Sequence, residues 1–220
     1  MALELFTARV CPYAHRTRLA LLEKGLDVTL HEIDFKNKSK RFLEVSPYGR
    51  VPALVHGDTV VYESAIINEY LDEVFPTPRL MPADPALKAF TRIWIDYLDH
   101  QVLDDYYALL KEQDAARQAT MRAKVEDRFR FIEREGLARH GGAGPYWLGA
   151  DATLLDLAYY PFFERLPAWR HYRGVDVPAE CTRLRGWIGA MAARPSVRSM
   201  ANDERYYVAN YAGYAGAKAA

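Results

Sequence analysis

The chain has 220 residues, half of them hydrophobic and 26% charged, with only 2 cysteines. That composition supports a packed core and excludes disordered, collagen-like and disulfide-scaffold classes. Lys plus Arg and Asp plus Glu number 29 each, with 9 basic and 11 acidic residues over 1–77 and 20 and 18 over the remainder, so neither part has the positive excess that non-specific binding of nucleic acid or anionic membrane needs.

Leu3-Glu4-Leu5-Phe6 alternates as a strand. Cys11-Pro12 follows, with Pro12 suited to the first turn of a helix that Gly25 ends. Val28 and Leu30 alternate with polar residues as a second strand, and a short helical piece is expected around Arg41-Phe42-Leu43. Val51 to Val55 reads as a strand opened by Pro52, His56-Gly57-Asp58 as a turn, and Thr59 to Tyr62 as the returning strand of a hairpin. From Ser64 a helix places Ile67, Tyr70, Leu71 and Val74 on one face. The expected order is β-α-β-α-β-β-α.

Pro76, Pro78, Pro82 and Pro85 then punctuate the chain, and the boundary is placed there: a domain over 1–77, a linker over 78–85 and a second domain over 86–220. The second part reads as helical throughout. Long amphipathic helices are expected over 86–112 and 116–138, a turn at His140 to Pro145, a helix from Thr153, and another over 179–193 stopped by Arg194-Pro195. The tail is tyrosine-rich, from Tyr206 to Tyr214. A small mixed α/β domain joined to an all-α domain fits this order.

No apolar run approaches the length of about eighteen residues that a membrane span needs. Glu4 and Arg9 interrupt the apolar start, which does not read as a signal peptide. Cys11 and Cys181 are too far apart and too few for a disulfide framework, and a reducing cytoplasm is expected. The histidines never fall at i, i+4 or beside a cysteine, so no metal site is expected.

Four motifs are candidates for chemistry. Cys11 sits where a strand ends and a helix begins, and the unpaired amides there favour a thiolate. Ala14 stands where a two-cysteine redox motif would have its second thiol, so the available chemistry is monothiol: attack on a disulfide or electrophilic carbon, then release by an external thiol. A buried, inert cysteine is the plain alternative. Pro52 after Arg50-Val51 is either an ordinary trans proline or a cis one that presents the backbone of Val51 to a peptide-like ligand. Glu63-Ser64 at a helix start reads either as a plain serine cap or as a site for an α-amino-acid head group. Thr153 with Asp156 forms a capping box and is read as structural.

The order and spacing of these motifs resemble cytosolic glutathione transferases over essentially the whole chain. The resemblance is to the omega class first, with the lambda class near it. It rests on Cys-Pro-Tyr-Ala-His-Arg-Thr-Arg-Leu at 11–19, Lys-Asn-Lys at 36–38, Ser-Pro-Tyr-Gly-Arg-Val-Pro at 46–52, Tyr-Glu-Ser-Ala-Ile at 62–66, Glu-Tyr-Leu-Asp-Glu at 69–73, Asp156, and Pro-Phe-Phe-Glu-Arg at 161–165. It implies a thioredoxin-like first domain holding glutathione and an all-helical second domain contributing a co-substrate cleft.

Residue by residue, the resemblance implies that Cys11 forms a mixed disulfide with glutathione and that Tyr13 lines its site. Lys38 would meet the glycine carboxylate, although in this charged run a solvated lysine is the plain reading. Val51, before a cis Pro52, would pair with the cysteinyl part, and Glu63 and Ser64 would hold the γ-glutamyl group. His15 stands where omega members often carry Glu or Gln; as the fourth residue after Cys11 it either lies close to the thiolate or, on the plainer reading, is a surface histidine. Arg50 either assists a carboxylate or faces solvent.

Conjugating members of the family use Tyr or Ser where this chain has Cys11, so the implied activity is thiol transfer or reduction. The alternatives are a non-catalytic binding protein and a lyase of glutathione thioethers. For the co-substrate cleft, Tyr97, Tyr106, Tyr107, Tyr160 and Trp169 are the candidates, about half of them expected to be plain core. The expected partners are glutathione and a small hydrophobic or disulfide co-substrate, and the expected assembly is a homodimer.

Overall fold

The computed structural model describes residues 2–216. The chain divides into two compact units, Met1–Ala83 and Asp84–Ala220.

The first unit runs β1 (Leu3–Thr7), α1 (Pro12–Glu23), β2 (Thr29–Glu32), α2 (Lys40–Val45), β3 (Ala53–His56), β4 (Thr59–Tyr62) and α3 (Ser64–Val74). Its sheet has the order β2-β1-β3-β4, with β2 parallel to β1 and the other neighbours antiparallel. This is a thioredoxin-like arrangement. Leu3 and Leu5, two apart on β1, join Leu21, Leu54, Ile67 and Leu71 in one core cluster. Phe6, of opposite parity, joins Ala14, Phe42, Val51 and Ala53 in another. Both faces of β1 therefore carry core side chains, Leu3 and Leu5 on one and Phe6 on the other. The hairpin turn uses Gly57 at φ +59°, a conformation glycine adopts at little cost.

Residues 76–83 belong with this unit. The Nζ of Lys24 donates to the carbonyls of Phe75 (2.7 Å) and Pro78 (2.8 Å) and pairs with Asp72 at 2.7 Å. Asp72 in turn accepts from the amides of Leu80 (2.7 Å) and Met81 (3.1 Å). The proline-rich segment is therefore bonded to the first unit through a buried ion pair and does not hang as a free linker.

The second unit is all-helical. α4 (Pro85–Tyr97) continues through a π-helical turn, Leu98–Val102, into α5 (Leu103–Lys111). α6 (Ala115–Phe131) continues through a second π-helical turn, Ile132–Leu137, into the short α7 (Ala138–His140). α8 (Leu154–Glu164), α9 (Leu166–Arg173), α10 (Thr182–Ala192), α11 (Pro195–Met200) and α12 (Glu204–Tyr211) complete it. The tyrosine-rich tail is thus partly a helix, α12. Gly136 lies in the second π turn against the Trp147 ring: a Cβ there would come within 2.5 Å of it, so the close approach requires glycine.

The capping box at α8 is formed. Asp156 accepts from the backbone N–H and the hydroxyl of Thr153, from the amide of Trp147 and from the indole of Trp187. It is fully buried, and burial pushes its carboxyl up from the ordinary aspartate value. Its bonds stay within the second unit, as its structural reading requires. Among the described residues, no helix is long and apolar enough to cross a membrane.

Candidate active site

Strand register gathers the candidate residues at one end of the sheet. Phe6 on β1 pairs with Ala53 on β3, and Ala53 pairs with Tyr62 on β4. The loop leaving β1, the segment entering β3 and the segment leaving β4 therefore meet at the same edge. They carry Cys11, Val51-Pro52 and Glu63-Ser64.

Cys11 is the residue immediately before α1, with φ −75° and ψ 119°. Its amide is held by the carbonyl of Ala8 at 3.0 Å. Pro12 opens the helix with no N–H to leave unsatisfied, and the thiol sits at the start of its first turn. The side chain is half-buried, and its Sγ lies 3.7 Å from the carbonyl of Val51. That distance suits a weak S–H donor to a carbonyl acceptor.

The Val51–Pro52 bond is cis. Ser46 shapes the bend before it, donating from its hydroxyl to the Arg50 carbonyl (2.7 Å) and accepting from the Arg50 amide (2.9 Å). Gly49 in the same bend has φ +59°, and a Cβ there would stand 3.3 Å from the Nζ of Lys38. The ammonium of Lys38 thus lies along the loop that presents Val51, while the Lys38 side chain remains exposed. Arg50 is exposed as well.

The serine-cap reading is corrected. Glu63 is the capping residue, and Ser64 is the first residue of α3. Glu63 has φ +70° and ψ 116°, and among the described residues it alone has positive φ without being glycine. Its side chain is exposed and makes no capping bond. Ser64 is buried, and its Oγ accepts from the guanidinium of Arg16 at 3.4 Å. The same guanidinium lies 5.0 Å from the centre of the Tyr13 ring.

Two residues of α1 differ from expectation. His15 is 1% exposed and is not a surface histidine. Arg16, in the run Arg16-Thr17-Arg18, is fully buried and contacts two candidate site residues. α1 packs against α3, and its Ala14 and Leu21 join core clusters with the strands. Spacing held one clue: Arg16 follows Tyr13 by three and Pro12 by four, which stacks them on one helical face.

The cleft aromatics divide. Tyr106 and Trp169 stack at 3.9 Å and 7°, and the indole of Trp169 donates to the carbonyl of Tyr106 at 2.7 Å. Tyr160 packs edge-on to Trp187. All three are buried among helices of the second unit, which fits the plain-core alternative for them. Tyr97 and Tyr107 keep exposed surface. Tyr97 lies under Arg128, and Tyr107 reaches the hydroxyl of Tyr211 at 3.4 Å. Cys181 is fully buried at the start of α10, and burial followed by the nearby Glu133 pushes its thiol up. It is fully enclosed, whereas Cys11 keeps part of its surface exposed.

Comparison with known proteins agrees with this arrangement. Residues 10–74 match the glutathione S-transferase N-terminal domain, and residues 101–200 the C-terminal domain. The chain is 30% identical to glutathione S-transferase U19 of Arabidopsis thaliana over 196 residues, covering 88% of this chain and 87% of that protein. It is 30% identical to glutathione S-transferase omega-1 of Sus scrofa over 204 residues, covering 92% and 82%. The solved structure of rice GST1 in complex with glutathione superposes with a TM-score of 0.88 at 27% identity, covering 98% of this chain and 96% of that one. The two matched domains, arranged in this order on this fold, make the chain a member of the glutathione S-transferase family.

Proposed function

We propose that the protein is a glutathione-dependent thiol transferase or reductase of the omega type, with Cys11 as its nucleophile. The observation that carries the reading is a half-buried cysteine thiol at the N-terminus of α1, 3.7 Å from the carbonyl that precedes a cis proline. Likeness to an omega-1 relative and to a glutathione-bound structure supports it.

Cys11, as thiolate, attacks the glutathione sulfur of a mixed or symmetric disulfide. A Cys11–glutathione disulfide forms, the original S–S bond breaks, and the displaced thiol leaves as its thiolate. Reduced glutathione then attacks the adduct, releasing oxidised glutathione and restoring Cys11. In this reading Val51 pairs through its backbone with the cysteinyl part of the tripeptide, with Pro52 shaping that segment. Glu63 and Ser64 receive the γ-glutamyl group, Lys38 meets the glycine carboxylate and Tyr13 lines the site. Residues 1–77 hold glutathione and residues 86–220 supply the co-substrate side, where Tyr97 and Tyr107 remain candidates. The same reading takes the protein as a cytoplasmic homodimer that needs no metal.

The test is mass spectrometry of the intact chain treated with oxidised glutathione. One adduct per chain is expected, on Cys11, reversed by excess reduced glutathione, absent from Cys11→Ala and retained in Cys181→Ala. An adduct confined to Cys181, or full turnover by Cys11→Ala, overturns the proposal. A panel of a glutathione mixed disulfide, dehydroascorbate, a phenacyl-glutathione thioether and a chloronitrobenzene separates reductase, lyase and conjugating activity. Turnover of none, with glutathione still bound, points to the non-catalytic alternative.

A further inference from the structure

Trp169 is fully buried, yet a run of touching rings leads from it to the surface of the second unit. Its ring centre stands 5.0 Å from that of Tyr211 on α12, and Tyr211 stands 5.7 Å from Tyr214 in the turn that follows. Tyr211 is 3% exposed and Tyr214 is 53% exposed. Indole and phenol each give up a single electron far more readily than a phenyl ring does, and electrons pass readily between rings in contact.

Proton placement gives the run a direction. The indole N–H of Trp169 donates to the carbonyl of Tyr106 at 2.7 Å, and a carbonyl is too weak a base to take that proton. An oxidised Trp169 therefore stays a cation radical, the more strongly oxidising form. Tyr106 stacks on it at 3.9 Å, but the Tyr106 hydroxyl donates to the carbonyl of Phe162 at 3.4 Å, and burial pushes that phenol well above its ordinary value. A phenol that keeps its proton is a poor electron donor. Tyr211 differs. Its hydroxyl lies 3.4 Å from that of Tyr107, and Tyr107 keeps exposed surface, so the Tyr211 proton has a path to water.

We propose that Trp169, Tyr211 and Tyr214 form a relay that carries a one-electron oxidation out of the packed helices to the surface, where a thiol reduces it. A one-electron oxidant takes an electron from Trp169 and leaves the cation radical. Tyr211 gives that cation an electron and passes its own phenolic proton through the Tyr107 hydroxyl to water. Trp169 is restored, and Tyr211 is a neutral tyrosyl radical. Tyr214 then gives Tyr211 an electron; Tyr211 takes back a proton and Tyr214 loses its own to water. A thiolate such as that of glutathione gives Tyr214 an electron, water supplies the proton, and the thiol leaves as a thiyl radical. No step uses Cys11, so the relay stands apart from the function proposed above.

The experiment is flash photolysis of the full-length protein. Light at the red edge of tryptophan absorption, where tyrosine does not absorb, ejects an electron from indole, and a cobalt(III) ammine complex consumes that electron irreversibly. Transient absorption separates the indole radical from the tyrosyl radical, and a nitroso spin trap followed by peptide mapping locates the latter. In the wild type a tyrosyl signal should grow as the indole signal decays, with the trap on Tyr214. Trp169→Phe and Tyr211→Phe should each lose the Tyr214 adduct, because a phenyl ring does not yield the electron. Tyr106→Phe should keep it. In Tyr214→Phe the radical should stop on Tyr211, and added glutathione should quench it more slowly than in the wild type, because Tyr211 is enclosed.

An undiminished Tyr214 adduct in Tyr211→Phe overturns the relay. So does an adduct on Tyr107 in place of Tyr214, which would make Tyr107 the exit, or loss of the adduct in Tyr106→Phe, which would route the electron through the stacked ring. If Trp169→Phe and Tyr211→Phe do not fold, Tyr214→Phe decides, because it alters only an exposed ring: quenching by glutathione as fast as in the wild type refutes the proposal.

Discussion

Glu63 occupies φ +70° and ψ 116°, outside the basins open to residues with a Cβ. Holding a non-glycine residue in such a conformation costs on the order of 1–3 kcal/mol. The side chain is exposed and forms no capping bond, so removing it forfeits little of the packing. Glu63→Gly should therefore stabilise the first unit. Glycine's extra freedom in the unfolded chain offsets roughly 0.4–1 kcal/mol of the relief, which leaves a net gain of about 0.5–2 kcal/mol. Glu63→Ala is the control: it removes the same carboxylate but keeps the Cβ and the strain, and should stay close to wild type. Tryptophan fluorescence does not suit the measurement, because all the tryptophans (Trp94, Trp147, Trp169, Trp187) lie in the second unit. Hydrogen exchange of peptides from β3, β4 and α3 reads the first unit directly. Both variants should bind glutathione more weakly and to the same extent. A glycine variant no more stable than the alanine variant would refute the claim that strain is stored at this position.

Two further predictions concern the first unit. Lys24→Met leaves Asp72 buried without its cation and frees the carbonyls of Phe75 and Pro78; it should destabilise the unit by about 3–5 kcal/mol, read as a lower urea midpoint in the same exchange experiment, and a loss under about 1 kcal/mol contradicts the clamp. Glu4 accepts from His31 and Arg41, and these partners, the His31 bond first, hold its carboxyl below the ordinary glutamate value. A lowered folded value means stability present above the ordinary value of 4.5 and lost as pH falls through the folded one. Urea midpoints should therefore fall on acidification below about pH 4.5, and Glu4→Gln should flatten that part of the profile; an unchanged profile in the variant assigns the loss to other carboxylates.

Features set by neighbours in the chain were legible in the residues alone. Cys11 before Pro12 marks a helix start because proline has no N–H to lose there. Gly57 marks the hairpin because its positive φ is cheap only for glycine, and Thr153 with Asp156 marks the start of α8 because the capping bonds span three residues. Such signals survive without knowledge of what the element packs against. The family resemblance added the cis bond before Pro52 and the grouping of Cys11, Val51, Glu63 and Ser64, which residue types alone left open between plain and functional readings.

Other features required the tertiary structure. The strand order and register decide that three separate segments meet at one end of the sheet, and no local pattern encodes that meeting. Only the folded chain shows that His15 and Arg16 are buried, although arginine usually faces water. The helices around Tyr106, Tyr160 and Trp169 bury these rings, whereas an aromatic run in the sequence fits a cleft wall and a packed interior equally well. The positive φ of Glu63 is likewise imposed from outside: a glutamate does not signal it, and it is held where the end of β4, fixed by pairing with β3, must turn at once into α3. Short-range preferences act within a few residues, whereas burial and strain depend on surfaces brought together from distant parts of the chain.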